Sequence, residues 1–208
     1  MDDLAYFNGE FMPLTDVKIS PLDRGFLFAD GVSEVVPVYN KNPFFFHEHL
    51  HRLYRSLSKI RLDPCITKEE LKSCIEELII QTKHNHQIVY LQITRGVANR
   101  NHAFPKRTRP TIFIMSSELI RPTERMFSEG VSAITTNDNR WKSCDIKSIS
   151  LLPNVLAREE AIASNCHEAI LVDNGNVTEG AASTIWIVKQ GKVFCPEPCN
   201  NLLEGIRI

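Results

Sequence analysis

Nowhere in this chain do apolar residues run unbroken for the roughly 20 positions that a helix needs to cross a bilayer. Neither sign of charge dominates: 24 lysines and arginines stand against 25 aspartates and glutamates, a formal net charge of -1 at pH 7, and no block of either sign occurs. That balance argues against nucleic acid and anionic membrane surfaces as partners. The start, Met1-Asp2-Asp3-Leu4, has neither the basic stretch nor the apolar core of a secretory signal, so the expected compartment is the cytoplasm. The six cysteines (Cys65, Cys74, Cys144, Cys166, Cys195 and Cys199) include no CxxC pair, and no histidine near the last two completes a zinc set. They read as reduced thiols.

What is present is enough apolar material, 43% of 208 residues, for one large domain or two small ones. Asn8-Gly9 marks a hairpin, since both residues tolerate the positive φ of a tight turn. Val32 to Tyr39 is β-branched and reads as a strand, with Pro37 pointing to an edge or a distorted ladder. Phe44-Phe45-Phe46 reads as a short return strand. The period then changes. Leu50, Leu53, Tyr54 and Leu57 mark one face of a helix over 49–60. A second helix follows Thr67, which forms a capping box with Glu70 and carries Leu71, Cys74, Ile75, Leu78 and Ile79. Ile88–Thr94 and Thr111–Met115 complete a sheet with two helices laid on it. Ile120-Arg121-Pro122-Thr123 is the linker, giving an N-terminal domain over 1–119 and a C-terminal one over 120–208. The latter reads as mostly β: strands near 131–135, 146–151, 168–172, 183–188 and 193–195, and one helix near 154–164. The fold class is α+β.

Two constellations compete for the chemistry. His47-Glu48-His49-Leu50-His51 matches H-E-x-x-H, which on a helix brings two histidines to one face for Zn²⁺ with the glutamate as base, as in a zinc hydrolase. Extended chain through Phe46 would leave His47 at the helix entrance, and solvated polar side chains are the plainer reading. The second constellation is dispersed. Lys147 sits in an apolar strand-like run, where burial disfavours its charged form and makes its amine competent for Schiff-base chemistry; a long side chain reaching solvent is the ordinary alternative. Glu179 follows the Asn174-Gly175 turn and suits a pyridinium nitrogen that needs an acidic partner. Arg52 is a bidentate donor for phosphate, and the Gly205-Ile206 backbone is a possible anion nest. Each has an ordinary structural explanation; their joint order carries the weight.

With these motifs the chain resembles the fold-type IV pyridoxal-phosphate enzymes (aminotransferase class IV). Further signposts are Asp23-Arg24-Gly25-Phe26, Phe28-Ala29-Asp30-Gly31, His51-Arg52-Leu53-Tyr54, Thr94-Arg95-Gly96, Asp145-Ile146-Lys147-Ser148 and Thr178-Glu179-Gly180. Arg100-Asn101-His102 makes it most similar to the D-alanine (D-amino acid) aminotransferase branch. The resemblance implies a two-domain homodimer that binds pyridoxal 5'-phosphate in an interdomain cleft and transaminates a D-amino acid with a 2-oxo acid acceptor. It implies Lys147 as Schiff-base lysine and proton shuttle, and Glu179 at the pyridine nitrogen. Arg52, Gly205 and Ile206 fall at the phosphate, with Leu203 against the ring. Ser33 and Val35 line the substrate side, and Arg100 with His102 takes the α-carboxylate across the dimer. Ser33 replaces a tyrosine of that branch and keeps open an aminodeoxychorismate lyase releasing pyruvate and 4-aminobenzoate. Arg207 stands where the phosphate loop carries a threonine. The family pattern continues beyond Ile208, so the second domain reads as incomplete at its C-terminus.

Overall fold

A computed structural model describes residues 4–197 and 199–206; the Arg207 replacement and the first three residues lie outside them. The chain divides into two units, one reaching Ile120 and including Ile146–Ser150, the other formed by Arg121–Asp145 and the residues from Leu151 onward. The sequence reading assigns 146–150 to the second domain. The structure assigns this segment to the first unit, because its backbone bonds and its Val32–Ser148 bridge go there.

In the first unit, β1 (Leu4–Phe7), β2 (Glu10–Pro13), β3 (Gly31–Tyr39), β4 (Asn42–Pro43), β5 (Gln87–Thr94) and β6 (Thr111–Glu118) form one antiparallel sheet, ordered β2-β1-β6-β5-β3-β4. The β1–β2 turn has φ of 51° at Asn8 and 110° at Gly9, as its Asn-Gly pair requires. The period-2 alternation of β3 turns Val32, Val36 and Val38 toward the core. Against that face lie α2 (Phe46–Lys59), through Leu50, Leu53 and Leu57, and α3 (Lys68–Gln81), through Leu71, Ile75, Leu78 and Ile79. At about 1.5–3 kcal/mol for each large apolar side chain buried, this interface is the main source of the unit's stability. A short helix, α1 (Arg24–Phe28), precedes β3.

One reading of this unit needs correction, and the Pro37 alternatives narrow to an interrupted ladder. Phe44–Phe46 is not a strand: β4 ends at Pro43, Phe45 takes the left-handed conformation (φ 46°), and α2 begins at Phe46. The reversal at Phe45 lets its carbonyl accept the His49 N–H at 3.1 Å, so helix starts where extended chain is expected. Pro37 lies in a strand second from the edge, but β4 pairs only with Val38 and Tyr39. The ladder on that side therefore reaches Pro37 only as an acceptor, its carbonyl taking the Phe44 N–H at 2.8 Å.

The second unit carries α4 (Glu124–Glu129), β7 (Ala133–Asn137), α5 (Leu152–Ala163), β8 (Glu168–Asp173), β9 (Asn176–Gly180) and a separate hairpin of β10 (Ile187–Lys189) and β11 (Lys192–Phe194). β7 pairs parallel with β8, and β8 antiparallel with β9. Ala157 and Ala161 of α5 pack on Ala169 and Leu171 of β8, small residues that let helix and sheet approach closely. The strand expected over 146–151 is absent: only Ser148 makes a bridge. Residues 183–186 lie outside the strand that begins at Ile187, and α4, which the linker reading passes over, is capped by the Thr123 hydroxyl. Among the described residues no helix is long and apolar enough to cross a membrane.

Candidate active site

The alternation of β3 puts residue 34 on the apolar face, yet the residue there is a fully buried glutamate. Such a carboxylate survives only with partners. Arg52 of α2 donates to it twice, from Nε to Oε2 at 2.9 Å and from Nη2 to Oε1 at 2.5 Å. His49 Nδ1 lies 3.1 Å from Oε1, and the Val35 N–H donates at 2.9 Å. Burial pushes the Glu34 carboxyl upward, but the hydrogen bonds from Arg52 and His49 outweigh it and hold the group at about 2. The Nε/Nη2 edge of the arginine that the sequence reading offers to a phosphate is therefore engaged by Glu34, which orients the guanidinium. Sequence reasoning missed this partner. The signal was there: a carboxylate in register with three valines needs a cation.

One turn after Arg52, Ser56 of α2 is fully buried and its Oγ accepts the Lys147 N–H at 3.2 Å. From the other side the Ser33 N–H donates to the Lys147 carbonyl at 2.9 Å, and the Ile149 N–H to the Gly31 carbonyl at 3.2 Å. The lysine's backbone is thus pinned between β3 and α2. Gly31 makes the approach possible: a Cβ there would lie 2.6 Å from the Ile93 carbonyl oxygen and 3.1 Å from Ile149 Cδ1. Lys147 is half-buried. The first unit therefore brings Lys147, Arg52 and Ser33 to one end of β3. Val35 follows Ser33 on the sheet face turned away from the helices, opposite Tyr90 of β5, whose hydroxyl donates to Gln92 Oε1 at 2.7 Å. Burial raises the Tyr90 phenol, with Ser33 pulling the other way.

Arg100 and His102 lie exposed in the loop after β5, and the structure gathers them on one ring: the Arg100 guanidinium is 5.4 Å and the His102 ring 5.2 Å from the Phe28 centroid.

In the second unit, buried Glu179 of β9 forms a close ion pair with Arg140. Arg140 also grips Asp138, from Nε to Oδ1 at 2.9 Å and from Nη2 to Oδ2 at 2.7 Å, and donates to the Asn201 carbonyl at 3.2 Å. The Thr178 hydroxyl completes the Asp138 contacts at 2.7 Å. Burial raises the Glu179 carboxyl, while the Arg140 guanidinium pulls it down; Asp138, despite burial, is held at about 2 by Arg140 and Thr178. The Leu203 N–H donates to Glu179 Oε1 at 2.9 Å, so Leu203 and Glu179 are brought together. Gly205 lies in irregular chain where an added Cβ would come within 3.0 Å of Thr184 Oγ1, and Ile206 follows it half-buried. Nothing in the local pattern of the sequence signals Asp138 and Arg140: two opposite charges two residues apart normally read as loop.

His47 lies in the first turn of α2 and His51 one turn further on, and both are exposed while His49 is buried on Glu34. Among the described residues, no group of three or more His, Cys, Asp or Glu is placed to hold a metal ion.

The amino-transferase class IV family model matches residues 31–208. The D-alanine aminotransferase of Staphylococcus haemolyticus is 40% identical over 203 residues, which is 97% of this chain and 72% of that protein. That of Bacillus licheniformis is 38% identical over 200 residues, 96% of this chain and 70% of the relative. Among solved structures, the Escherichia coli branched-chain amino acid aminotransferase superposes with a TM-score of 0.89 at 23% identity, over 99% of this chain and 71% of that one. A second branched-chain amino acid aminotransferase, complexed with N-(5'-phosphopyridoxyl)-L-glutamate, has a TM-score of 0.89 at 24% identity, over 99% and 70%. The enzyme from the archaeon Thermoproteus uzoniensis, solved with norvaline, has a TM-score of 0.84 at 23% identity, over 99% and 72%. The fold is thus shared with aminotransferases.

Proposed function

Since the chain belongs to the amino-transferase class IV family, a family of pyridoxal-phosphate enzymes, we propose that it transaminates a D-amino acid, D-alanine or a close analogue, with a 2-oxo acid as acceptor. The observation that carries this reading is 40% identity to a D-alanine aminotransferase along 97% of the chain.

The donor set fits pyridoxal 5'-phosphate on physical grounds. A primary amine stands on a backbone held from both sides, a buried guanidinium is aimed by Glu34, and a buried carboxylate is held by Arg140 and the Leu203 N–H. When bound, the cofactor supplies the electron sink that stabilises charge at the substrate Cα. Lys147 is assigned the covalent attachment and, when released by substrate, the transfer of the Cα proton at its Nζ. Glu179 would pair with the ring nitrogen and help it hold a proton. Leu203 would border the ring. Arg52 and the Gly205 and Ile206 backbone would take the phosphate. Arg100 and His102 bind the α-carboxylate, and Ser33 and Val35 border the substrate side chain. The small Ser33 favours a roomier pocket and is the one feature on which an aminodeoxychorismate lyase reading rests. The working unit is a homodimer, and six free cysteines fit the reducing cytoplasm; activity recovered in a secreted or membrane fraction would reverse that placement.

The test is spectroscopic and chemical. Purified protein loaded with pyridoxal phosphate is expected to absorb at about 400–430 nm, and borohydride to fix the label on the Lys147 peptide. With D-alanine and 2-oxoglutarate it should release pyruvate, and Lys147→Ala should abolish both results. No pyruvate from a fully loaded protein would overturn the transaminase reading. Formation of 4-aminobenzoate from aminodeoxychorismate without an amino acceptor would replace it with the lyase.

A further inference from the structure

The loop that carries Arg100 and His102 contains no helix or strand, and both residues are solvent-exposed. A loop of that kind samples many conformations unless something ties its backbone. Here the loop's entry is held by a bridge between Asp23 and Val97 and by the Ala98 N–H on the Leu22 carbonyl at 3.3 Å, and its Arg100–Ala103 stretch by one buried side chain. Arg24, 3% exposed at the start of α1, sends Nη1 to the carbonyls of Asn101 at 2.5 Å and Ala103 at 3.3 Å, and Nη2 to that of His102 at 3.4 Å. Its own backbone N–H donates to the Gly96 carbonyl at 2.9 Å, so the same residue also holds the loop's entry.

The clamp is itself anchored. Arg24 Nε donates to Asp30 Oδ2 at 2.7 Å, and Asp30 also receives Arg95, at 2.8 Å from Nε and 3.0 Å from Nη2. Arg95 continues to the Ile60 carbonyl at 2.8 Å and the Arg61 carbonyl at 3.1 Å, just past the end of α2, and stacks 3.7 Å from the Phe104 ring. Two buried guanidinium groups thus share one carboxylate, and backbone carbonyls replace the water they have lost. Burial raises the Asp30 carboxyl, but Arg95 and Arg24 draw it below its ordinary value, so it stays anionic between them. Phe28, at the other end of α1, packs 4.9 Å from the Arg24 guanidinium and is the ring on which Arg100 and His102 meet.

We propose that Arg24 is a positioning residue that presets the Arg100/His102 pair for a carboxylate, by clamping three consecutive carbonyls of their loop. The inference rests on the carboxylate-binding reading of that pair. It predicts that loosening the clamp weakens substrate capture and leaves cofactor attachment intact. Misplacement of a binding group by about 1 Å can cost up to roughly 100-fold.

The experiment compares Arg24→Lys, Arg24→Gln and Arg100→Ala in the cofactor-loaded full chain. Arg24→Lys keeps the charge beside Asp30, but its single ammonium cannot span three carbonyls. Both Arg24 variants should retain the visible band at Lys147 and raise KM for D-alanine about 10-fold, with kcat changed by less than about 3-fold. Trypsin should nick the loop at Lys106 or Arg107 faster than in the parent. In the double variant Arg24→Lys/Arg100→Ala the KM effects should not add. An unchanged nicking rate in Arg24→Lys overturns the clamp, whatever the kinetics. An unchanged KM in Arg24→Lys, with a raised one in Arg100→Ala, overturns its role in substrate capture. An unchanged KM in Arg100→Ala instead overturns the carboxylate reading, and the nicking rate then judges the clamp alone. If Arg24→Gln loses the band, Arg24→Lys decides.

Discussion

Glu34 is the residue on which the Arg52 guanidinium of the first unit is mounted. It is fully buried, it orients Arg52 through two hydrogen bonds, and it is held at about 2. Glu34→Gln keeps the shape and removes the charge, leaving Arg52 in the interior without its carboxylate. Such a loss costs about 3–5 kcal/mol. Urea unfolding at pH 7 should register a drop of that order. The pH dependence follows from the direction of the shift. A carboxyl with a folded pKa of about 2 and an ordinary value of 4.5 contributes its full stability above 4.5 and loses it as pH falls toward 2. The gap between parent and variant should therefore persist at pH 7 and narrow progressively below about 4.5; a gap that widens with acid would refute the assignment. Sequence alternation exposes Glu34 as an anomaly. It does not reveal that the same carboxylate serves both His49 and Arg52, because α2 must first pack on β3.

At the scale of elements, the parts with local chemistry of their own were readable. The Asn8-Gly9 hairpin is one, and α3 is another: the Thr67 hydroxyl accepts the Glu70 N–H at 3.1 Å while the Glu70 carboxylate accepts the Thr67 N–H at 2.8 Å. Thr67→Ala removes the cap and should lower stability by about 1 kcal/mol, with Thr67→Ser nearly neutral, measured as urea midpoints. Elements whose start depends on an unusual backbone were not readable. α2 opens after a phenylalanine at φ 46°, a conformation that aromatic residues seldom adopt and that only surrounding packing enforces. The run around Lys147 has the composition of a strand, yet its N–H and carbonyl groups bond to Ser56 and Ser33 rather than to a ladder of its own. That exchange is what positions the lysine.

At the scale of the molecule, the working unit is expected to be a homodimer. Light scattering on the loaded protein should return about twice the chain mass of 23.7 kDa, and a monomer mass in active fractions would refute it. The order of motifs by itself determined the class of protein through family resemblance: Arg52, the Arg100-x-His102 pair, Lys147 and Glu179 in that order, on an α+β pattern of hydrophobic periods. Motif order and periodicity are local or one-dimensional properties, so they survive without coordinates. Tertiary structure alone decided the partners of those residues. Glu34 for Arg52, Ser56 for Lys147, Arg140 for Glu179 and Arg24 for the Arg100/His102 loop lie 18, 91, 39 and up to 79 residues away in the chain. Buried charges and backbone groups must be satisfied by whatever the fold places beside them, and no window of sequence contains that neighbour.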